Sequence, residues 1–341
     1  MATAELVIPY TATRPRIDLA EAIPLSAPFA MFVEPTNICN FRCGFCPESF
    51  PDFQERAGYY QRMSWHTWQR IYASLRNWPP LKVIRFYHEG EPLLNPQLPA
   101  MIAQGADVCE RTELTTNGSL LGKYAQALVD AGLDYLRVSV YAARDEEYRN
   151  ITKSGAGCDI PANLGLLRAL RGDSEKPFIF AQLVTPNPSR DVVQLFHSRY
   201  SRVADEISVL DGMHNWGGSD NRLVELGQKE RPEKQVCPQP FYQLAIKANG
   251  KVSVCCADWD NKLVVGDVNQ ETLQDIWAGP RLRELQQLHL SRQRRRLPGC
   301  RDCTVLHKHP DNLDSHGLTL ESTDLPPLNG RSYALPSSPP Q

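Results

Sequence analysis

Between Pro28 and Trp216 the chain alternates short apolar runs with longer amphipathic stretches, and this alternation restricts the fold more than any other feature. The runs at 30–36 (AMFVEPT), 83–89 (VIRFYHE), 111–118 (RTELTTNG), 135–141 (YLRVSVY), 178–184 (FIFAQLV) and 206–211 (EISVLD) predict strands. The stretches 63–78, about 97–109, 121–131, 160–171 and 192–200 predict helices; in the first, Trp68, Ile71 and Leu75 are spaced for one face. Such βα repeats require parallel strands with helical crossovers. Six repeats fall short of the eight that close a full barrel. The expected fold is therefore α/β, a partial, open (β/α)6 barrel of TIM type. The polar segments CNFRCGFC, HEGEP and TTNG follow strands, at the ends where parallel barrels carry their chemistry.

The rest of the chain divides around this unit. Residues 1–27 lack sustained periodicity and read as an N-terminal extension, 28–216 as the barrel, and 217–235 as a polar linker. A second, small α+β unit is expected over 236–310. There, residues 244–256 predict a hairpin turning at Asn249–Gly250, and 271–290 a helix pair broken at Gly279–Pro280. The tail 311–341 is rich in Pro and Ser and is expected to be partly disordered.

Charge excludes some functions. Lys and Arg number 37 against 39 Asp and Glu, a net charge of −2, which argues against binding a polyanion along a whole face. The run SRQRRR (291–296) reads as a solvated helix end rather than a nucleic-acid patch. No apolar run approaches a membrane span, and the N-terminus lacks a secretory signal pattern. A cytoplasmic protein without membrane or nucleic-acid partners is expected.

Ten cysteines are unevenly placed. Cys39, Cys43 and Cys46, spaced C-x3-C-x2-C, follow the first barrel strand. Three thiolates in one loop can hold three corners of a [4Fe–4S] cluster and leave the fourth iron open. A structural zinc site usually needs a fourth nearby ligand, and no Cys or His lies within fifteen residues of these three. Cys237, Cys255, Cys300 and Cys303 form a second set, in which C-x12-G-x4-C precedes a distant C-x2-C. On spacing alone zinc is favoured there, although four thiolates equally complete an iron–sulfur cluster. Cys109, in a predicted helix, and Cys158, in a loop, have no partners at ligand spacing.

The motif CNFRCGFC, with Phe45 at its aromatic position, resembles that of the radical SAM superfamily. The resemblance implies S-adenosylmethionine (SAM) on the open iron and its cleavage to a 5′-deoxyadenosyl radical. It also implies SAM contacts from Gly90, Glu91 and Pro92, from Thr116 and Asn117, and from Ser139, with Tyr141 lining the pocket. The second cysteine set, with LVVGDV and ETLQDIW between its halves, resembles the SPASM/twitch extension of the same enzymes. No cysteine follows Cys303, so the shorter twitch form is implied, with one auxiliary [4Fe–4S] cluster held by Cys237, Cys255, Cys300 and Cys303. Cys256 has three readings: a buried small hydrophobe, an alternative ligand, or a hydrogen-atom donor to a substrate radical. Burial leads, because neighbouring strand residues face opposite sides.

The resemblance further implies a small-molecule substrate and an external electron donor such as flavodoxin or ferredoxin. Only 38 residues precede Cys39, fewer than a peptide-leader-binding domain needs, which points to a sugar, aminocyclitol or nucleoside in antibiotic biosynthesis. Carbinol oxidation, as in the 2-deoxy-scyllo-inosamine dehydrogenase, is the expected reaction. Tunicamycin-type C–C coupling of sugar and nucleoside, epimerisation and decarboxylation are alternatives. A non-catalytic iron–sulfur redox or scaffold protein is the alternative class.

Overall fold

The computed structural model describes residues 6–7, 17–154, 159–185, 188–210, 234–301, 303 and 305–314. Cys158, most of the 217–235 segment and the tail from 315 lie outside the described residues. Ten strands form one sheet: β1 (Leu6–Val7), β2 (Ala30–Val33), β3 (Val83–Phe86), β4 (Thr112–Thr116), β5 (Tyr135–Val140), β6 (Phe178–Val184), β7 (Glu206–Leu210), β8 (Gln243–Ile246), β9 (Lys251–Ser253) and β10 (Val264–Asp267). Their order is β1-β7-β6-β5-β4-β3-β2-β8-β9-β10. All pairs from β1 through β8 are parallel, and β8–β9 and β9–β10 are antiparallel. The six expected barrel strands are β2–β7, in sequence order.

The helices are α1 (Leu19–Ala22), α2 (Phe53–Ala57), α3 (Trp65–Leu75), α4 (Leu98–Ala106), α5 (Leu121–Asp130), α6 (Asp145–Thr152), α7 (Ile160–Arg171), α8 (Arg190–Tyr200), α9 (Leu273–Trp277), α10 (Pro280–Leu290) and α11 (Val305–Lys308). The helix α3 starts where Ser64 accepts the Thr67 N–H at 3.0 Å, and it buries Trp68, Ile71 and Leu75, the expected face. Against the helices the sheet turns Met31, Ile84, Leu114, Leu136, Ile179 and Ile207, all fully buried in one apolar cluster. The register places polar residues on the other face: Arg85 opposite Glu113, Thr115 opposite Arg137, and Ser139, Gln182 and Ser208 in a row. A parallel sheet packed on both sides is normally apolar throughout; a polar inner face is suited to a polar guest.

Three features differ from the sequence expectation. The C-terminal hairpin does not form its own sheet: β8 extends the barrel sheet beside β2, pairing Ala30–Val33 with Gln243–Ile246. Its turn is at Gly250 as expected, with φ +90°. The N-terminal 27 residues contain β1 and α1, elements too short to leave a periodic trace. Leu19 and Ile23 pack with Val236, Phe241, Leu290 and Leu313 in a second apolar cluster. Cys109 lies beyond the end of α4, in a bridge to Leu81, because Leu81 pairs with Val108 and Glu110 and draws the chain out of the helix.

Candidate cofactor sites

Two cavities hold the two cysteine sets. The first, about 140 Å³, is lined by Cys39, Cys43 and Cys46 together with Phe45, Gly90, Glu91, Thr116, Asn117, Ser139 and Tyr141. Of the residues expected there, only Pro92 is absent from the lining. It begins the 3-10 turn Pro92–Leu94 and is buried behind it.

The GEP turn is built onto the cysteine loop. Gly90 has φ +73°, and a Cβ there would meet the Thr36 carbonyl oxygen at 2.5 Å. The Glu91 N–H donates to the Ile38 carbonyl at 2.9 Å, one residue before Cys39. The Glu91 carboxylate then ties the next loop in: it accepts from the Thr116 hydroxyl at 2.6 Å, the Asn117 N–H at 2.8 Å and the Leu93 N–H at 3.1 Å. Burial nevertheless pushes its pKa up to about 7 against these hydrogen bonds. Asn117 also reaches the cysteine loop, donating to Asn40 at 2.9 Å. Phe45 packs on Tyr141, with ring centroids 5.0 Å apart.

Several residues of this cavity were not singled out in the sequence. Glu48 and Glu89 are buried in its wall, each with one oxygen lacking a hydrogen-bond partner among the described residues. Burial pushes Glu48 up to about 8, although Arg42 lies 3.6 Å away. Behind them is a buried polar group. His88 Nδ1 lies 3.4 Å from both Glu34 and Glu89, and Lys247 Nζ approaches His88 at 3.3 Å and donates to the Asp258 carbonyl at 2.6 Å. Burial opposes ionisation of Glu34, but His88 and Lys247 hold its pKa below the usual carboxylate range. Tyr59 donates its hydroxyl to the same carboxylate. A lone Glu or Lys in a strand gives no sequence signal of this kind, because its partners are far away in the chain.

The second cavity, about 210 Å³, is lined by all four of Cys237, Cys255, Cys300 and Cys303. It also includes Asp258, so the Lys247 bond connects the walls of the two cavities. Cys256 lines neither. It is half-buried, and its thiol meets the Gln243 side chain. Cys255 and Cys256 thus diverge, as neighbouring residues do, although both lie just past β9. Arg294, in the run expected to be solvated, is instead 3% exposed and faces the second cavity, while Arg295 and Arg296 are exposed. The tight 3-10 turn Arg294–Arg296 sends adjacent side chains in different directions.

The donor sets fit iron–sulfur clusters. Soft sulfur ligands select such groups. No three of His, Cys, Asp and Glu among the described residues converge closely enough for a single ion. Burial pushes Cys39, Cys43 and Cys237 up to about 12, and Cys46, Cys255 and Cys300 up as well; neighbouring thiols add repulsion at each of these except Cys39, where Glu91 and Glu48 add it. A bound cationic iron core would reverse this cost, since a coordinated thiol is deprotonated.

The comparisons agree with this geometry. The family model for the radical SAM superfamily matches residues 33–171, from the end of β2 to the end of α7. The model for the SPASM iron–sulfur cluster-binding domain matches 237–304 and includes all four cysteines of the second set. The chain carries a radical SAM domain followed by a SPASM domain. The first domain implies SAM and a [4Fe–4S] cluster, and the second implies auxiliary iron–sulfur chemistry. BtrN in complex with AdoMet and 2-DOIA has a similar fold, with TM-score 0.55, 19% identity and coverage of 81% of this chain and 92% of that one. Streptococcus suis SuiB bound to S-adenosylmethionine gives TM-score 0.60 at 14% identity, covering 85% and 73%. At these identities the likeness establishes the fold. A GTP 3′,8-cyclase of Mycobacterium ulcerans (strain Agy99) is 29% identical over 226 residues, 60% of this chain. The chain spans 58% of the length of that curated relative. No helix among the described residues is long and apolar enough to cross a membrane.

Proposed function

We propose that the protein uses a SAM-derived radical to oxidise a carbinol carbon of a small polyhydroxylated molecule, a carbohydrate, aminocyclitol or nucleoside of secondary metabolism. The observation that carries this reading is the pairing of a three-thiol cavity with a four-thiol cavity in one molecule, their walls joined through Lys247, His88 and Asp258. When bound, the two groups supply hydrogen-atom abstraction at the first cavity and electron acceptance at the second. Cys39, Cys43 and Cys46 hold the first cluster and leave one iron for SAM. The GEP turn, Thr116, Asn117, Ser139 and Phe45 shape the space around SAM. Cys237, Cys255, Cys300 and Cys303 ligate the second cluster fully, which leaves no iron for substrate. The inner-face polar residues, Arg85, Thr115, Arg137, Gln182 and Ser208, offer donors and acceptors to substrate hydroxyls. BtrN, of similar fold, was solved with AdoMet and 2-DOIA, which favours a substrate of this size. Flavodoxin or ferredoxin is the proposed electron donor, and the cytoplasm the proposed location.

A second reading has its own support. The curated relatives of M. ulcerans and Mycobacterium marinum are GTP 3′,8-cyclases, which favours a radical bond-forming reaction on a nucleotide. An isotope experiment separates the readings. Anaerobically reconstituted protein is given a panel of deuterated aminocyclitols, sugars and nucleosides, GTP included, in light and in heavy water. Oxidation moves substrate deuterium into 5′-deoxyadenosine and leaves a carbonyl without solvent deuterium at that carbon. Solvent deuterium there would mean epimerisation, with Cys256 the candidate hydrogen donor, and a cyclised or summed-mass product would mean bond formation. No SAM cleavage under reducing conditions would leave a redox or scaffold protein.

A further inference from the structure

The second cavity contains a cation that its acids do not neutralise. Arg294 is 3% exposed, and its Nη1 donates to the Cys300 carbonyl at 2.6 Å. Its Nε has no hydrogen-bond partner among the described residues. The two carboxylates of the same wall are engaged elsewhere. Asp258 accepts from the Ser253 hydroxyl at 2.7 Å and from the N–H groups of Lys262 and Leu263 at 2.8 and 2.9 Å. Asp260 pairs with Arg56 at 3.3 Å and Lys262 at 2.7 Å.

His289 completes this wall. It is 1% exposed, and its Nδ1 accepts the Cys237 N–H at 3.4 Å. That acceptance places the ring proton on Nε2, which lies 3.8 Å from Cys300 Sγ. The geometry is that of an N–H donor aimed at a ligand sulfur. The first cavity has the opposite character, with Glu48, Glu89 and Glu91 in its wall.

We propose that Arg294 and His289 are positioning residues that raise the reduction potential of the iron–sulfur cluster held by Cys237, Cys255, Cys300 and Cys303. Reduction adds one negative charge to a buried group. A desolvated guanidinium beside it and a hydrogen bond to a ligand sulfur both favour the more negative state. Burial strengthens each effect, because little water is present to screen it. The electron that arrives in the cluster is supplied by the external donor or by the substrate radical; the two residues exchange no atoms. The inference rests on the auxiliary-cluster reading of this cavity and is independent of which reaction the protein performs.

The test is a potentiometric titration of the full-length, anaerobically reconstituted protein, followed by electron paramagnetic resonance. The auxiliary signal is the one that survives replacement of Cys39, Cys43 and Cys46 by Ala. Arg294→Gln should lower its midpoint by about a tenfold change in the reduction equilibrium, about 59 mV for one electron. Arg294→Lys should restore most of this, and His289→Leu should lower the potential in the same direction. The first cluster's signal should not move. An unchanged or higher auxiliary potential in Arg294→Gln, with iron content retained, overturns the proposal. If Arg294→Gln loses the auxiliary iron, His289→Leu decides, and an unshifted potential there overturns it. Failure of the underlying reading is visible separately: zinc in the second cavity, or no signal surviving in the triple variant, refutes the auxiliary cluster before any potential is compared.

Discussion

Lys247 Nζ lies 3.3 Å from both ring nitrogens of His88, although 159 residues separate them. The contact brings the C-terminal hairpin to the loop that follows β3. With Glu34 and Glu89 it makes a buried group of two carboxylates, an ammonium and an imidazole. Burial and Lys247 oppose protonation of His88, yet Glu34 and Glu89 hold its pKa above the usual value. Where His88 is protonated, the group sets two positive charges against two negative ones.

Lys247→Met should break that balance and leave two buried carboxylates facing one imidazole. Removing one partner of a buried ionic group costs about 3–5 kcal/mol. Anaerobic urea unfolding should show a loss of this size, and a loss under about 1 kcal/mol would mean that water reaches the group.

Gly90→Ala places a Cβ where the Thr36 carbonyl already stands, at a positive φ. The strain, about 1–3 kcal/mol, must be relieved by separating the GEP turn from the cysteine loop. Iron analysis should find the first cluster depleted and the auxiliary cluster retained. Equal depletion of both would place the damage in the sheet as a whole.

The pH dependence of stability should carry the mark of Glu91. Burial raises its pKa from 4.5 to about 7 in the folded chain. Between those values the folded state holds a proton that the unfolded state has released. The contribution is therefore fully present below 4.5 and is lost as pH rises towards about 7. The slope is about 1.4 kcal/mol per pH unit at most. Glu48, raised to about 8, acts in the same sense. Urea midpoints measured across this range should fall with pH, and Glu91→Gln should flatten the decline below about pH 7. An unaltered slope in that variant would assign the effect to other groups.

Cys300→Ala should impair product formation more than 5′-deoxyadenosine formation, because in the proposed reaction the second cavity acts after hydrogen abstraction. Liquid chromatography of both products in one reaction measures the ratio. Parallel loss in a folded variant would make the second site structural.

Much of the barrel was legible because it is periodic. Trp68, Ile71 and Leu75 announce a helix face, and the six strand runs announce their order. The cysteine positions were equally plain, since Cys39, Cys43 and Cys46 are local in sequence. What could not be read depends on distance along the chain. Glu34, His88, Glu89 and Lys247 meet only after β8 joins β2, and no local pattern encodes that pairing. Arg294 was misread for a related reason: a run of arginines looks solvated until the turn directs one side chain inward. The helix assigned to Cys109 failed because the Leu81 bridge overrides local propensity.

The β2–β8 pairing has a consequence for how the molecule opens. Ala30–Val33 lie between β3 and β8 and bond to both. Amide hydrogens of the two halves are thereby shared in one ladder, so neither half can release its inner strands to solvent while the other keeps its own. Exchange with heavy water should find the backbone of Met31–Val33 and Leu244–Ile246 protected to the same degree and exposed by the same unfolding event. A redox partner docking on either half would then slow exchange in the other.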